Sequence, residues 1–164
     1  MSQQLVIDSF NFAREADSLT GRLAIAGLTR VADLLVETTG FLDYTARGMV
    51  GANGRSQLVL HVDGVFPLCC QRCLEGIELQ VAIRSLLEFV DDEDALTQDE
   101  IEDDSRDYLV EQKVLDVVAL IEDEILLFLP SAPRHESCAM PDAGQESASP
   151  LPFSSLSGLK GGTR

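Results

Sequence analysis

The sequence predicts an α+β fold with an antiparallel sheet that could be barrel-like, peripheral helices and a flexible C-terminal tail. Two stretches, 58–63 and 79–84, predict the sheet because apolar residues alternate along them, as in strands with one buried face. The region after residue 113 predicts a helix instead. Its apolar residues recur at three- and four-residue spacing, namely Val114, Val117, Val118, Ile121, Ile125 and Phe128.

The N-terminal part predicts shorter elements. Ser9 has the side chain of a helix N-cap, and the glycine-containing stretch 51–54 has the composition of a turn. The elements expected here are a helix at 9–17, a strand at 19–25, a helical turn at 31–36, and strands at 44–50 and 55–64.

The C-terminal part contains an acidic stretch before the predicted helix and a tail after it. Residues 91–104 are acidic and poor in apolar side chains, which predicts an exposed loop or flexible insertion before a strand at 107–110. Pro130 is expected to stop the amphipathic helix. We predict a single domain over 1–139 and a mostly disordered tail over 140–164, because the tail is rich in Ser, Pro, Gly and Ala.

The net charge of −16 is concentrated in one part of the sequence. Sixteen acids and only two bases lie between Glu88 and Glu124, a stretch we call the acidic belt. One interpretation is a solvated surface that aids solubility. The other is a docking surface for a basic partner such as a ribosomal protein, because complementary charge speeds encounter and disfavours wrong partners. DNA binding is not expected, because it requires a basic face.

Neither secretion nor membrane insertion is predicted. Residues 1–5 lack a basic segment followed by an apolar run, and the longest apolar stretch, 114–129, contains four acids. We therefore expect a cytoplasmic protein whose four cysteines are reduced. Close cysteine pairs then indicate metal or redox chemistry rather than disulfides.

Two short motifs could carry such chemistry. Cys70 and Cys73 form a Cys-x-x-Cys pair between two predicted strands, and His135 and Cys138 form a His-x-x-Cys pair. Together they would suit tetrahedral zinc if the helix before Pro130 returns the chain to the cysteine turn. Two alternatives stay open. One is a structural knuckle without tightly bound metal, and the other is a redox pair whose thiolate Arg72 could stabilise.

Other candidate residues have plainer interpretations. Cys69 is expected to be a small core residue, and His61 an exposed or hydrogen-bonded histidine. The run Glu122–Glu124 is expected to form a solvated helix face, because consecutive helical residues point in different directions. Phosphate-loop, serine-elbow and zinc-protease motifs are missing from the sequence.

The tail contains a segment with an apolar rhythm at 152–160. Pro152 could start a short helix that presents Phe153, Leu156 and Leu159. This segment could fold back on its own domain or act as a docking peptide that becomes ordered on a partner.

Several stretches taken in order resemble the YceD-like family, the large ribosomal RNA subunit accumulation proteins. The matching pieces are Cys70–Leu74, the acidic loop leading to Asp107-Tyr108, Leu120–Leu127 with Leu129-Pro130, the pair His135 and Cys138, and the closing Pro152–Lys160. The resemblance implies a bacterial or organellar protein that large-subunit ribosomal RNA needs for normal accumulation, with no established enzymatic activity.

Two functions follow from these observations. The first is a non-catalytic factor for large-subunit ribosomal RNA accumulation and ribosome assembly, which would contact a pre-ribosomal particle through RNA or a basic protein. Arg72 and Arg84 are the candidate RNA contacts. The alternative is a zinc- or thiol-dependent enzyme that uses Cys70, Cys73, His135 and Cys138. Zinc, in a structural role, is the only cofactor that the motifs indicate.

Overall fold

Alternating apolar residues in the middle of the chain form three long strands. The computed structural model describes residues 5–141 apart from 93 and 95. The predicted docking segment 152–160, with Phe153, Leu156 and Leu159, lies outside the described residues. In chain order the elements are β1 (Val6–Ile7), α1 (Ser9–Arg14), β2 (Ser18–Ala24), 3-10 turns at Ile25–Gly27 and Ala32–Leu34, β3 (Phe41–Val50), β4 (Ser56–Cys69), β5 (Gly76–Val90), α2 (Gln98–Ile101), β6 (Asp107–Val110), β7 (Leu115–Asp116) and α3 (Val117–Phe128).

The main sheet has five strands in the order β2-β3-β4-β5-β6. Neighbours from β2 to β5 are antiparallel, but β6 runs parallel to β5, with Leu87 opposite Asp107. The sheet is therefore mixed, and the prediction of a wholly antiparallel sheet was wrong at this edge. The barrel-like closure is not supported either, because β2 and β6 end the sheet order and β1 pairs with β7 in a separate two-stranded sheet.

Helices α1 and α3 pack against the same face of the main sheet. This face carries the alternating apolar residues that the sequence indicated, among them Leu42, Leu60 and Ile83, and it contacts the buried side of α3. The opposite face carries polar or charged residues such as Thr45, His61 and Arg84, which stand side by side in register on β3, β4 and β5. The sheet thus has one core face and one open face.

Helix α1 lies against β3 at a glycine. A Cβ on Gly48 would collide with the backbone of Phe12 and Ala13, so only glycine allows the helix to approach this closely. The N-cap of α1 is Asp8, one residue before the expected Ser9. The Asp8 side chain accepts the Asn11 N–H at 3.0 Å. Ser9 is fully buried and instead bonds the Gln112 backbone, because its hydroxyl donates to that carbonyl at 3.0 Å and accepts the N–H at 2.9 Å.

Helix α3 confirms the predicted amphipathic helix and ends before Pro130, though Val114 precedes it and is exposed. The expectation of a solvated face at Glu122–Glu124 was wrong for the two glutamates, whereas Asp123 is exposed. Glu122 and Glu124 are only 5% and 7% exposed. Glu122 accepts the backbone N–H of Arg30 at 2.8 Å, and Glu124 accepts the hydroxyl of Ser85. Hydrogen-bond donors on other parts of the chain offset the cost of burying these two carboxylates.

A buried carboxylate organises the start of the acidic belt. Glu88 is fully buried at the end of β5 and accepts bonds from Gln57 at 2.6 Å and Asn53 at 2.8 Å. Arg55 and Arg106 contact it at 3.1 and 3.3 Å. These arginines also bind Glu100 and Asp103 in the predicted loop, at 2.6 and 3.2 Å. The loop contains the single-turn helix α2, which is held by a capping box between Thr97 and Glu100.

We expect Glu88→Gln to lower the free energy of unfolding by about 2–4 kcal/mol, because it leaves two arginines without their buried counter-charge. Chemical denaturation monitored by circular dichroism measures the change. Glu78→Gln, on an exposed position of the same strand, is the matched control and should change stability little. Equal stabilities of the two variants would contradict this role of Glu88.

The same network makes stability pH-dependent. Burial by itself would raise the pKa of Glu88, but hydrogen bonds from Gln57, Asn53, Arg55 and Arg106 outweigh it and hold the pKa below its usual range. A depressed folded-state pKa stabilises the protein above the unfolded pKa of about 4.3, and this contribution is lost as pH falls through the folded value. The stability difference between wild type and Glu88→Gln should therefore shrink below about pH 4.

Candidate metal centre

The turn between β4 and β5 holds the first pair of cysteines. β4 ends at Cys69, so Cys70 is the first residue of a six-residue connection. The N–H of Cys70 donates to the Glu75 carbonyl at 2.8 Å, and the N–H of Leu74 donates to the Cys70 carbonyl at 2.9 Å. Leu74 has a φ of 63°, a left-handed conformation that costs a non-glycine residue about 1 kcal/mol. The turn is tight enough to bring Cys70 and Cys73 to one side.

The segment after α3 brings the second pair to this turn. The C-terminal end of α3 and Pro130 direct the chain toward the β4–β5 connection, where the N–H of Gln71 donates to the Pro133 carbonyl at 2.8 Å. His135 and Cys138 follow within a few residues. Residues that lie 62 positions apart in sequence, Cys73 and His135, thereby come into contact.

The four side chains converge. The Sγ atoms of Cys70 and Cys138 are 3.8 Å apart, and Cys73 Sγ lies 3.3 Å from His135 Nδ1. All four candidate ligand atoms lie within 4.8 Å of one another. Tetrahedral zinc with bonds of about 2.0–2.3 Å would set neighbouring ligand atoms about 3.3–3.8 Å apart, so this Cys3His group is positioned for such an ion. We call these four residues the Cys3His cluster.

The orientation of His135 also suits a metal ligand. Its Nε2 lies 3.1 Å from the carbonyl oxygen of Gly76. Because a carbonyl only accepts hydrogen bonds, Nε2 carries the proton, and the lone pair of Nδ1 points toward Cys73. A backbone carbonyl on the second ring nitrogen is the usual way in which proteins orient a ligating histidine.

Backbone N–H groups favour a thiolate within the cluster. The N–H of Cys73 lowers the pKa of Cys70 most, those of Arg72 and His135 act with it, and together they overcome burial to bring this pKa to about 5. For Cys73, the N–H of Glu75 lowers the pKa. Burial and the neighbouring sulfurs of Cys70 and Cys138 outweigh it, so the net pKa is raised.

Arg72 joins the two halves of the cluster. Its Nε donates to Cys138 Sγ at 2.9 Å and its Nη2 donates to the His135 carbonyl at 2.8 Å. Three thiolates around a divalent ion would carry one net negative charge, and the guanidinium would balance it. The sequence placed Arg72 beside the thiols but did not indicate that it reaches the distant His-x-x-Cys segment.

The remaining candidate residues lie outside the cluster. The expectation that Cys69 is a core residue was wrong, because it is half-buried, with its Sγ 3.6 Å from the Leu74 carbonyl, whereas Cys70 is fully buried. His61 is half-buried on the open sheet face. Arg84, on the same face, binds both carboxylate oxygens of Asp63 at 3.1 Å.

The fold and the cluster define a class of protein: a small α+β protein in which a Cys3His cluster joins the segment after α3 to the turn between β4 and β5. A family model described as "Large ribosomal RNA subunit accumulation protein YceD" matches residues 58–160, more than half of the 164 residues. The chain belongs to this family, which confirms the resemblance found in the sequence. The matched region contains all four cluster residues.

Two other comparisons add no relative. No curated protein and no solved structure gives a significant match. In the part of the chain that the structure describes, none of the helices has the length and apolar character needed to cross a membrane.

The cluster predicts one bound zinc ion per chain. Cys70→Ser should lower zinc affinity by more than the roughly 10–100-fold typical of losing an outer-shell partner, because it removes a ligand itself. Elemental analysis of protein purified without chelators measures the metal. Cys69→Ser changes the adjacent cysteine outside the cluster and should retain zinc. Wild-type protein free of zinc under these conditions would contradict the site.

Arg72→Met should weaken zinc binding about 10–100-fold, because it removes the hydrogen bonds to Cys138 and His135 but keeps all four ligands. Competition with a chromogenic chelator gives the affinity. Arg84→Met removes an arginine from the open face and is the matched control. If both variants hold zinc as tightly as the wild type, Arg72 is not a positioning residue.

Proposed function

We propose that this chain is a non-catalytic factor that supports the accumulation and processing of large-subunit ribosomal RNA during ribosome assembly. The observation that carries the proposal is the family match, whose description names the accumulation of large-subunit ribosomal RNA. The chemistry of the Cys3His cluster supports a role without catalysis. If zinc binds there, protein side chains fill all four tetrahedral positions and leave none for water or substrate.

The alternative of a zinc- or thiol-dependent enzyme has less support. Cys70 has a lowered pKa, as a nucleophile would, but its side chain is fully buried. Reactive cysteines are partly exposed so that a substrate can reach the sulfur. The shift is better explained by preparation of a thiolate for a structural metal.

The proposed partner is a pre-ribosomal particle, contacted through RNA or through a basic ribosomal protein. The candidate RNA contacts Arg72 and Arg84 are both engaged within the chain, with the cluster and with Asp63. The acidic belt, by contrast, retains exposed carboxylates such as Asp104 and Asp107. This difference favours the protein partner. The segment 152–160, with Phe153, Leu156 and Leu159, is proposed as a second docking element.

The proposed compartment is the cytoplasm. The four cysteines form no disulfide, and the Sγ atoms of Cys70 and Cys138 are 3.8 Å apart within the Cys3His cluster. Unbridged cysteines in a metal-ligand arrangement suit a reducing compartment.

Depletion of the protein tests the proposal. We expect the ratio of large- to small-subunit ribosomal RNA to fall and the protein to co-sediment with pre-ribosomal particles. Complementation then separates the two functions. With a structural zinc, Cys70→Ser and Cys138→Ser should fail alike while Cys69→Ser succeeds, whereas a nucleophilic Cys70 would make its own variant fail although zinc and fold are retained. An unchanged RNA ratio without co-sedimentation would overturn the assembly role.

A further inference from the structure

A groove lined by leucines runs between α3 and the β5–β6 edge of the sheet. Its cavity volume is about 390 Å³. We call it the leucine groove, and its apolar lining consists of Leu87, Leu109, Leu120, Leu126 and Leu127. Leu87 and Leu120 form a buried floor, while Leu127 is 78% exposed at the rim. An exposed leucine that continues a leucine-lined groove differs from the isolated apolar residues found on every protein surface.

The charge around this groove is negative. Arg30 is the sole base among the described residues that line it, and its guanidinium lies 2.5 Å from Asp123. The backbone N–H of Arg30 is bound by Glu122. Asp107 is exposed at the rim, and Asp123 and Glu124 of the acidic belt also line the groove. The groove therefore offers leucine side chains to an apolar group and carboxylates to a base.

The leucine lining and the acidic rim of the groove indicate which ligand it could bind. Phosphate groups of RNA would be repelled by the belt. A two-fold dimer through this face would set the same acids against each other. The chain's own segment 152–160 has apolar residues but a single base, Lys160. A basic segment with regularly spaced leucines satisfies both the apolar floor and the acidic rim, as in the helix-in-groove mode of peptide recognition.

We propose that the leucine groove binds a basic, leucine-bearing peptide segment of a partner protein. The choice of a ribosomal protein as the source of that segment rests on the proposed function. The chemistry of the groove can be measured without it, with a synthetic peptide and the purified full chain.

Fluorescence anisotropy tests the groove with a labelled peptide of lysines and leucines at helical spacing. We expect binding that weakens between about 50 and about 300 mM salt, because added salt screens the carboxylates. A peptide with serine in place of leucine should bind about tenfold more weakly, since it loses apolar burial. A single-stranded RNA of the same length should not bind.

Variants locate the binding on the chain. Leu127→Ser should weaken peptide binding about tenfold, because it removes the apolar rim. Asp107→Lys should weaken it about fivefold through the reversed charge. The controls are Val114→Ser, which changes another exposed apolar residue, and Glu37→Lys, which makes the same charge change outside the belt; both should bind like the wild type.

Three results would overturn the proposal. Equal affinities of Leu127→Ser and Val114→Ser would show that the peptide does not use the groove. RNA binding that Leu127→Ser weakens would identify a different class of ligand. A gain in peptide affinity when Phe153, Leu156 and Leu159 are all replaced by serine would identify the chain's own tail as the occupant.

The experiments distinguish failure of the leucine-groove proposal from failure of the proposed function. A fall in large-subunit RNA on depletion, combined with wild-type peptide binding by Leu127→Ser, overturns the groove proposal alone. Groove-dependent peptide binding with an unchanged RNA ratio supports the groove and overturns the assembly role.

Discussion

The convergence of four side chains at the tip of the β4–β5 hairpin is the constraint on which the C-terminal part of the structure depends. After Pro130 the described chain forms neither helix nor strand, so few backbone bonds hold it. Its attachment consists of the Gln71–Pro133 hydrogen bond, the His135–Gly76 contact, the Arg72 bridge and the contacts among the cluster sulfurs. Removal of one cluster residue therefore affects the whole segment after Pro130, because it removes one of a small number of attachments.

Six arginines of this acidic chain contact groups within the chain itself. Arg22, Arg30, Arg55, Arg84 and Arg106 each contact a carboxylate of the same chain, and Arg72 contacts the cluster. Internal pairing of this kind lets strands and loops with many acids fold together. It also leaves the outer surface of the acidic belt with unbalanced negative charge, which is the physical basis for expecting a basic partner rather than nucleic acid.

Local patterns predicted the parts of this fold that depend on neighbouring residues. The alternation at 58–63 and 79–84 located β4 and β5, and the spacing of apolar residues located α3. The parallel pairing of β6 could not be predicted, because alternation shows which face is buried but not which strand lies alongside. Burial of Glu122 and Glu124 depends on Arg30 and Ser85, which are distant in sequence. The Cys-x-x-Cys and His-x-x-Cys motifs were visible in the sequence, but the bridging role of Arg72 depends on the return of the chain to the hairpin after α3.

The pairing of β1 with β7 has a consequence for the order in which the chain can fold. The meander from β3 to β5 is built from neighbouring strands joined by connections of five and six residues, so its loops close at low entropic cost. Ser9 instead finds its partner Gln112 across 103 positions. During synthesis, the N-terminal residues must wait until most of the chain has left the ribosome. We therefore expect the meander to form early, while β1 and the Ser9–Gln112 contact complete the domain last.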